Sequence, residues 1–257
     1  MSALIKTTIE DGILNVVMNR ADKKNAITRS MYLDMSQALR DAHTNDDVRV
    51  VLITAEGADF SSGNDIADFM TIAKSEGKLV DSDVFQFLKT LVDLDKPIVA
   101  AVRGRAVGVG LTMLLNCDMV VVARDALLSV PFINLALVPE AASTLLLPGI
   151  IGHARAFEMF ALGEPIDGGT ACEWGLANRA VSSVMVDETA WELAAKLASR
   201  APNALRRTKA LMRDSGSLWS LMQREGVEFS SQMRSPEAQE AFTAFLQKRA
   251  PNFSAKS

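Results

Sequence analysis

The groups in this chain best suited to chemistry are backbone donors on two glycine-bearing loops. One spans residues 57–66 (GADFSSGNDI) and the other residues 104–110 (GRAVGVG). Each follows an aliphatic run with the character of a strand. Taken singly, either loop is an ordinary tight turn. Set side by side, each could aim one N–H at a shared point. Gly108 and Gly110 open a helical stretch over residues 111–116, and the first N–H groups of a helix have no partner within it. Two converging donors of this kind hold a developing oxyanion.

Other side chains compete for a chemical role. Glu140 stands in residues 137–143 (LVPEAAS); on local grounds it is a loop charge, or an acidic residue favourable at the start of a helix over 141–147. Asp65 could act as a base, but after Asn64 it is expected to accept backbone hydrogen bonds and shape the loop. Asp118 reads as a cap or turn residue. Ser61 and Ser62 lack the G-x-S-x-G elbow of a hydrolase nucleophile. His43 falls in an exposed helix and His153 at a helix start, and these two histidines cannot form a zinc site. Cys117 and Cys172 have no metal-ligand spacing and read as small buried side chains of a reducing compartment. Met31, Met35, Met113, Met159 and Met212 are expected to fill core or pocket.

Positioning the loops requires a framework of strands and helices. Residues 4–9 and 12–19 form two strands around Asp11-Gly12. Residues 28–44 have helical periodicity, with Thr28 as N-cap. Residues 48–54 (VRVVLIT), 97–102 (PIVAAV) and 118–123 (DMVVVA) are near-continuous aliphatic runs, as in strands covered on both faces. Helical segments between them make repeated β-α units, so the class is α/β. Beyond about residue 187 strand-like runs stop. Helical patterns cover 187–200, 203–214, 217–233 and 236–248. The expected division is a core of residues 1–186 and a helical C-terminal region of 187–257.

In order along the chain stand Asn19-Arg20, KKNA at 23–26, FSSGND at 60–65, KPIVAAVRG at 96–104, the second glycine loop and NCD at 116–118. Pro139, GHARAFEMFALGEPID from Gly152, Trp174-Gly175-Leu176 and SPEAQEAFTAFLQKRAPNF at 235–253 follow. This series resembles the enoyl-CoA hydratase/isomerase (crotonase) family across essentially the whole chain. The resemblance implies a spiral of β-β-α units, a homotrimer or hexamer, and a CoA thioester as substrate, with no cofactor beyond the CoA that the substrate carries. It puts the oxyanion donors at the backbone N–H groups of Ser62 and Val109, where the family usually has glycine at the second position. Lys24 and Ala26 match the stretch along the CoA nucleotide. Ser62, Gly63, Asn64, Asp65 and Ile66 match the loop flanking the thioester. Gly108, Val109, Pro131 and Pro139 complete the expected substrate-binding set, and Lys248 could reach a CoA phosphate.

Two glutamates hold the attacking water in the hydratases that the chain resembles. Here Thr112 and Phe132 occupy those positions. Glu140 instead resembles the single glutamate of the enoyl-CoA isomerases, so the leading expectation is a double-bond shift from β,γ to α,β with Glu140 as base. The alternatives are a hydratase of atypical site, a catalytically weak acyl-CoA-binding protein and, less favoured, a thioesterase.

Composition narrows the classes further. The chain has 257 residues, 49% of them hydrophobic, with a net charge of −4, which disfavours a nucleic-acid partner. No apolar run is long enough to span a bilayer. The N-terminus lacks a basic segment followed by an apolar core, and the expected location is cytoplasmic.

Overall fold

The computed structural model describes residues 3–68 and 79–253. The chain opens with a hairpin of β1 (Ile5–Glu10) and β2 (Ile13–Met18). Its two-residue turn, Asp11-Gly12, has φ of 50° and 77°, the doubly positive geometry that matches the twist of the flanking strands. Helix α1 (Arg29–Thr44) begins where Thr28 accepts a hydrogen bond from the Met31 N–H at 3.3 Å. It buries Met31, Tyr32, Met35, Ala38, Leu39 and Ala42 on one face.

A six-stranded sheet carries the core in the order β1-β2-β3-β4-β6-β9. Strands β3 (Val50–Ala55), β4 (Ile98–Val102), β6 (Met119–Ala123) and β9 (Arg179–Val181) are parallel to β2 and to one another. All of β3 and β4 is buried, which accounts for their unbroken aliphatic sequences. Between β3 and β4 lies α2 (Asp83–Asp93), whose apolar face packs on α1.

A second, smaller layer runs β5-β7-β8, from β5 (Arg105–Val107), β7 (Leu127–Ser129) and β8 (Ile166–Asp167). Ser61 joins it through an isolated parallel bridge to Ala106. The chain thus passes three times from the large sheet to the small layer: β3 to Ser61, β4 to β5, and β6 to β7. Helix α3 (Val109–Thr112) follows β5 directly and continues as a 3-10 turn to Asn116. This repeated strand–strand–helix path is the expected crotonase-type spiral.

The remaining helices are α4 (Ser143–Ile151), α5 (His153–Leu162), α6 (Gly168–Glu173), α7 (Val186–Ala198), α8 (Pro202–Met212), α9 (Ser215–Met233) and α10 (Pro236–Leu246). Three sequence expectations need correction. Helix α7 is not part of an appendage: it packs on β3, β4 and β6, because Val186, Ala190, Leu193 and Ala194 form a small-residue apolar face that covers the sheet. Met212 is 83% exposed, unlike the buried Met31, Met35, Met113 and Met159. Lys248 lies past the end of α10 with φ of 53°, not within a helix.

Asp118 does more than cap. Its Oδ2 accepts from the Ile98 N–H at 2.7 Å and from Lys209 Nζ at 2.7 Å, tying β4 to α8. Among the described residues, no helix is long and apolar enough to cross a membrane.

Candidate functional site

The register of the small layer decides where the two glycine loops meet. Ser61 pairs with Ala106, and Ala106 with Leu128. Three residues further along each strand come Asn64, Val109 and Pro131. Parallel pairing brings these three chain segments out side by side at one end of the layer. They line one wall of a cavity of about 360 Å³.

Backbone hydrogen bonds assign the donors. The Ser62 N–H donates to Lys24 O at 2.9 Å and the Gly63 N–H to Ser61 Oγ at 3.1 Å, so neither is available. Asn64 forms a parallel bridge with Ile27: the Ile27 N–H donates to Gly63 O at 2.8 Å, and the Asp65 N–H donates to Ile27 O at 2.9 Å. In such a bridge the middle residue turns its own N–H and C=O away from the partner strand. Among the described residues the Asn64 N–H has no acceptor. The expected donor at Ser62 is therefore corrected to Asn64. The sequence singles out the loop, but not how its neighbouring carbonyls spend their bonds.

On the second loop the backbone leaves one N–H over. Gly108 caps α3, and its carbonyl accepts from Leu111 and Thr112 at 2.9 Å each. The Val109 N–H, at the first helical position, has no intrahelical acceptor. Gly63 is required between the two loops: its φ is +91°, and a Cβ there would sit 2.9 Å from Val107 O. Asn64 is steadied through its side chain, whose Oδ1 accepts from the buried Tyr32 hydroxyl at 2.7 Å.

Of the expected binding residues, Ser62, Gly63, Asn64, Ile66, Gly108, Val109 and Pro131 line the cavity; Lys24, Ala26, Asp65 and Pro139 do not. Lys24 and Ala26 run beside the first loop and support it: Lys24 O holds Ser62, and Ala26 O accepts from Arg20 Nη1 at 2.8 Å. Asp65 also accepts from Arg20 Nη1, at 2.7 Å, and from the Ala67 and Asp68 N–H groups. Burial raises its carboxyl pKa, but the Arg20 and backbone bonds outweigh this and hold it below the usual range. Asp65 thus shapes the loop, as expected. The opposite wall of the cavity is apolar, built from Phe132, Leu135, Leu137, Phe229, Phe242 and Phe245. The Phe132 and Phe229 rings meet edge to face at 6.3 Å.

Glu140 is 5% exposed and does not line the cavity. Its Oε1 accepts from Thr112 Oγ1 at 2.6 Å, while Oε2 is buried without a hydrogen-bond partner. Thr112 lies one helical turn beyond Val109, so α3 carries both the donor and the residue that holds the carboxylate. Burial pushes the Glu140 carboxyl up to about 7, against the lowering effect of the Thr112 bond and with a further rise from the charge of Glu225.

The expected helix over 141–147 begins later. Ala141 and Ala142 are left-handed, with φ of 64° and 57°, and α4 starts at Ser143. Each such conformation costs an alanine roughly 1–2 kcal/mol. The compensation comes from Glu225 on α9, which sequence reasoning missed: it accepts from the Ala142 N–H at 2.6 Å and the Thr144 N–H at 3.1 Å. A signal did exist. Glu225 shares the buried face of its helix with Leu218, Met222, Phe229 and Met233, where a lone carboxylate is costly unless bonded.

The other candidates lie apart from the cavity. Cys117 and Cys172 are free, and burial pushes the Cys117 thiol up to about 12. His153 stacks on Phe157 at 6.1 Å, and His43 faces Asp95 at 3.3 Å. Among the described residues no cluster of side chains could hold a metal ion.

Comparison with known proteins points to one family. Residues 8–256 match the family model described as Enoyl-CoA hydratase/isomerase. A probable enoyl-CoA hydratase from Bacillus subtilis is 34% identical, over 89% of this chain and 90% of that protein. The peroxisomal enoyl-CoA delta isomerase 3 of mouse is 32% identical, over 96% of this chain and 79% of that protein. The crystal structure of an enoyl-CoA hydratase/isomerase from Pseudoalteromonas atlantica T6c superposes with a TM-score of 0.92 at 38% identity, covering 98% of this chain and all of that one.

The raised pKa of Glu140 makes a prediction for stability. The carboxyl moves from 4.5 to about 7 on folding, so the unfolded chain ionises first as pH rises. The folded state therefore loses stability between about pH 4.5 and 7, by a total on the order of 3 kcal/mol, and levels off above that. Glu140→Gln removes this loss. Urea denaturation of both proteins at pH 5 and pH 8 measures it, and the wild type should weaken more than the variant over that interval.

Proposed function

The chain belongs to the enoyl-CoA hydratase/isomerase family and is an acyl-CoA-processing enzyme, and on that premise we propose that it shifts an enoyl-CoA double bond from the β,γ to the α,β position. The observation that carries this reading is one buried carboxylate, Glu140, with an unpartnered oxygen and a pKa pushed up to about 7, held by Thr112, which stands one helical turn from the Val109 N–H. A base with that pKa matches proton transfer near neutral pH.

The steps follow from the groups present. The thioester carbonyl takes the Asn64 and Val109 N–H groups. Glu140 removes a proton from the α carbon, and the electron pair moves to the carbonyl oxygen as a dienolate. The two donors hold that charge. The protonated Glu140 then delivers its proton to the γ carbon. Because Glu140 is enclosed, the reading requires acyl binding to open it to the cavity beside Val109 and Leu137. Proton shuttling of this kind asks for no metal or redox group. In the same reading, the segment around Lys24 and Ala26 runs along the CoA nucleotide, and the phenylalanine wall receives the acyl tail.

Hydration fits less well. It calls for a second carboxylate to fix a water. The Thr112 hydroxyl is committed to Glu140, and Phe132 packs on Phe229. The nearby Glu225 is spent on the start of α4.

We further propose a homotrimer or hexamer. Phe157 and Leu162 of α5 and Leu211 of α8 are 63%, 55% and 90% exposed, apolar side chains that a second copy of the chain would cover. Light scattering at micromolar concentration should give three or six times the chain mass; a monomer contradicts the proposal.

Two activity predictions follow from the assigned groups. The Ser62 side chain makes only a 3.5 Å contact with Lys23 O, so Ser62→Ala should change turnover a few-fold at most. Gly63→Ala must move the backbone that aims the Asn64 N–H, and loss of one oxyanion donor costs about 10²–10³ in kcat. Equal rates in the two folded variants would argue against Asn64.

The second concerns the base. Glu140→Gln should keep CoA binding but lose about a hundredfold or more of isomerisation. Incubation with β,γ- and α,β-enoyl-CoA, with separate detection of conjugated and 3-hydroxyacyl products, tests the reaction. Mainly 3-hydroxyacyl product from the wild type would overturn the assignment.

A further inference from the structure

The start of α4 is built in an unusual way. A helix normally carries its own cap, a short polar side chain that accepts from the second or third N–H. Here the capping position holds Ala142, which has no side-chain acceptor. The missing oxygen atoms arrive from α9. Glu225 Oε2 accepts from the Ala142 N–H at 2.6 Å; Oε1 accepts from the Thr144 N–H at 3.1 Å and from Thr144 Oγ1 at 2.5 Å. Asn116 Nδ2 donates to Ala141 O at 3.2 Å, and the Ser143 N–H to Glu140 O at 3.1 Å. Both left-handed alanines are fully buried.

These bonds hold the backbone directly after Glu140, whereas its carboxylate has only the one bond from Thr112. The position of Glu225 is in turn set by Gly226, where a Cβ would lie 2.6 Å from the Phe85 ring of α2. One turn further along α9, Phe229 walls the apolar cavity. The same helix therefore supports both the acyl pocket and the loop that carries the base.

We infer that Glu225 is a positioning residue for proton transfer by Glu140, acting through its hydrogen bonds to the left-handed Ala142 and to Thr144 in the first turn of α4. It touches no part of the cavity; its effect passes through the backbone of residues 141–144. Without its oxygens, the buried Ala142 N–H has no acceptor and the Thr144 N–H and hydroxyl lose theirs, which leaves the left-handed turn held only by the Asn116 and Ser143 bonds. The Glu140 carboxylate then swings away from Thr112 and from the α carbon.

The inference rests on the reading of Glu140 as base, and the experiment separates the two. Glu225→Ala, Glu225→Gln and Glu140→Gln are compared with the wild type for kcat and KM on a β,γ-enoyl-CoA, with folding checked by circular dichroism. Glu225→Ala should lose at least tenfold in kcat with KM within about twofold. Glu225→Gln keeps one acceptor oxygen, enough for either the Ala142 or the Thr144 N–H, and should recover part of the loss. A pH profile adds a second readout. The ionisable groups near Glu140 are Glu225 from α9 and Tyr32 from α1, with Arg224 beside Glu225. Removing the Glu225 charge should move the acid limb of kcat to lower pH.

A folded Glu225→Ala with wild-type kcat, or with a loss only in KM, overturns the inference. Where Glu225→Ala does not fold, an acid limb unmoved in Glu225→Gln overturns it. A fully active Glu140→Gln would instead refute the base itself.

Discussion

In the small inner layer, Ser61 pairs with Ala106 and Ala106 with Leu128, all in parallel. That register sets the geometry of everything that follows. A shift of one residue would turn each strand over and exchange the groups facing the cavity for those facing the core. With the register as it is, the Asn64 and Val109 N–H groups emerge from neighbouring segments, and Pro131 starts the apolar wall beside them. The large sheet serves this arrangement. Its buried β3, β4 and β6 deliver the chain to the inner layer three times from the same direction.

Burying Glu140 runs against stability, since an isolated carboxylate loses its hydration. The structure supplies one short bond from Thr112 and leaves the other oxygen bare. A fully satisfied carboxylate, such as that of Asp65, is held below its usual pKa and makes a poor base. An incompletely satisfied one is pushed toward neutrality. The two acidic residues near the glycine loops thus differ in chemistry because they differ in partners: Asp65 faces Arg20 and backbone donors, while Glu140 faces a single hydroxyl. Glu225 illustrates a third outcome, a buried carboxylate consumed in holding a helix start.

The last four helices do not share one role. Helix α7 covers the large sheet, and α8 clamps β4 and β6 through Lys209 and Asp118. Helices α9 and α10 close the cavity with Phe229, Phe242 and Phe245. A composition boundary near residue 187 therefore marks where strands cease, not where the core ends.

Much of this was legible in the residues alone. Aliphatic runs predict strands buried on both faces because alternation disappears when both sides are covered, and β3, β4 and β6 follow that rule. Thr28 ahead of an apolar periodicity marks the start of α1, and Asp11-Gly12 marks the hairpin. The two glycine loops could be singled out because their residue types and order are local properties of the chain, whereas Glu140 stood out only through the family resemblance. What tertiary structure decided was the use of each hydrogen bond. Ser62 and Asn64 are two residues apart on one loop, and only the positions of Lys24 and Ile27 determine which N–H is left over. Likewise Glu140 and Glu225 are both glutamates in apolar settings, and the sequence does not say which donors each will meet. One is left short of donors and the other surrounded by them, because α3, α4 and α9 come together from distant parts of the sequence and share out a limited number of partners.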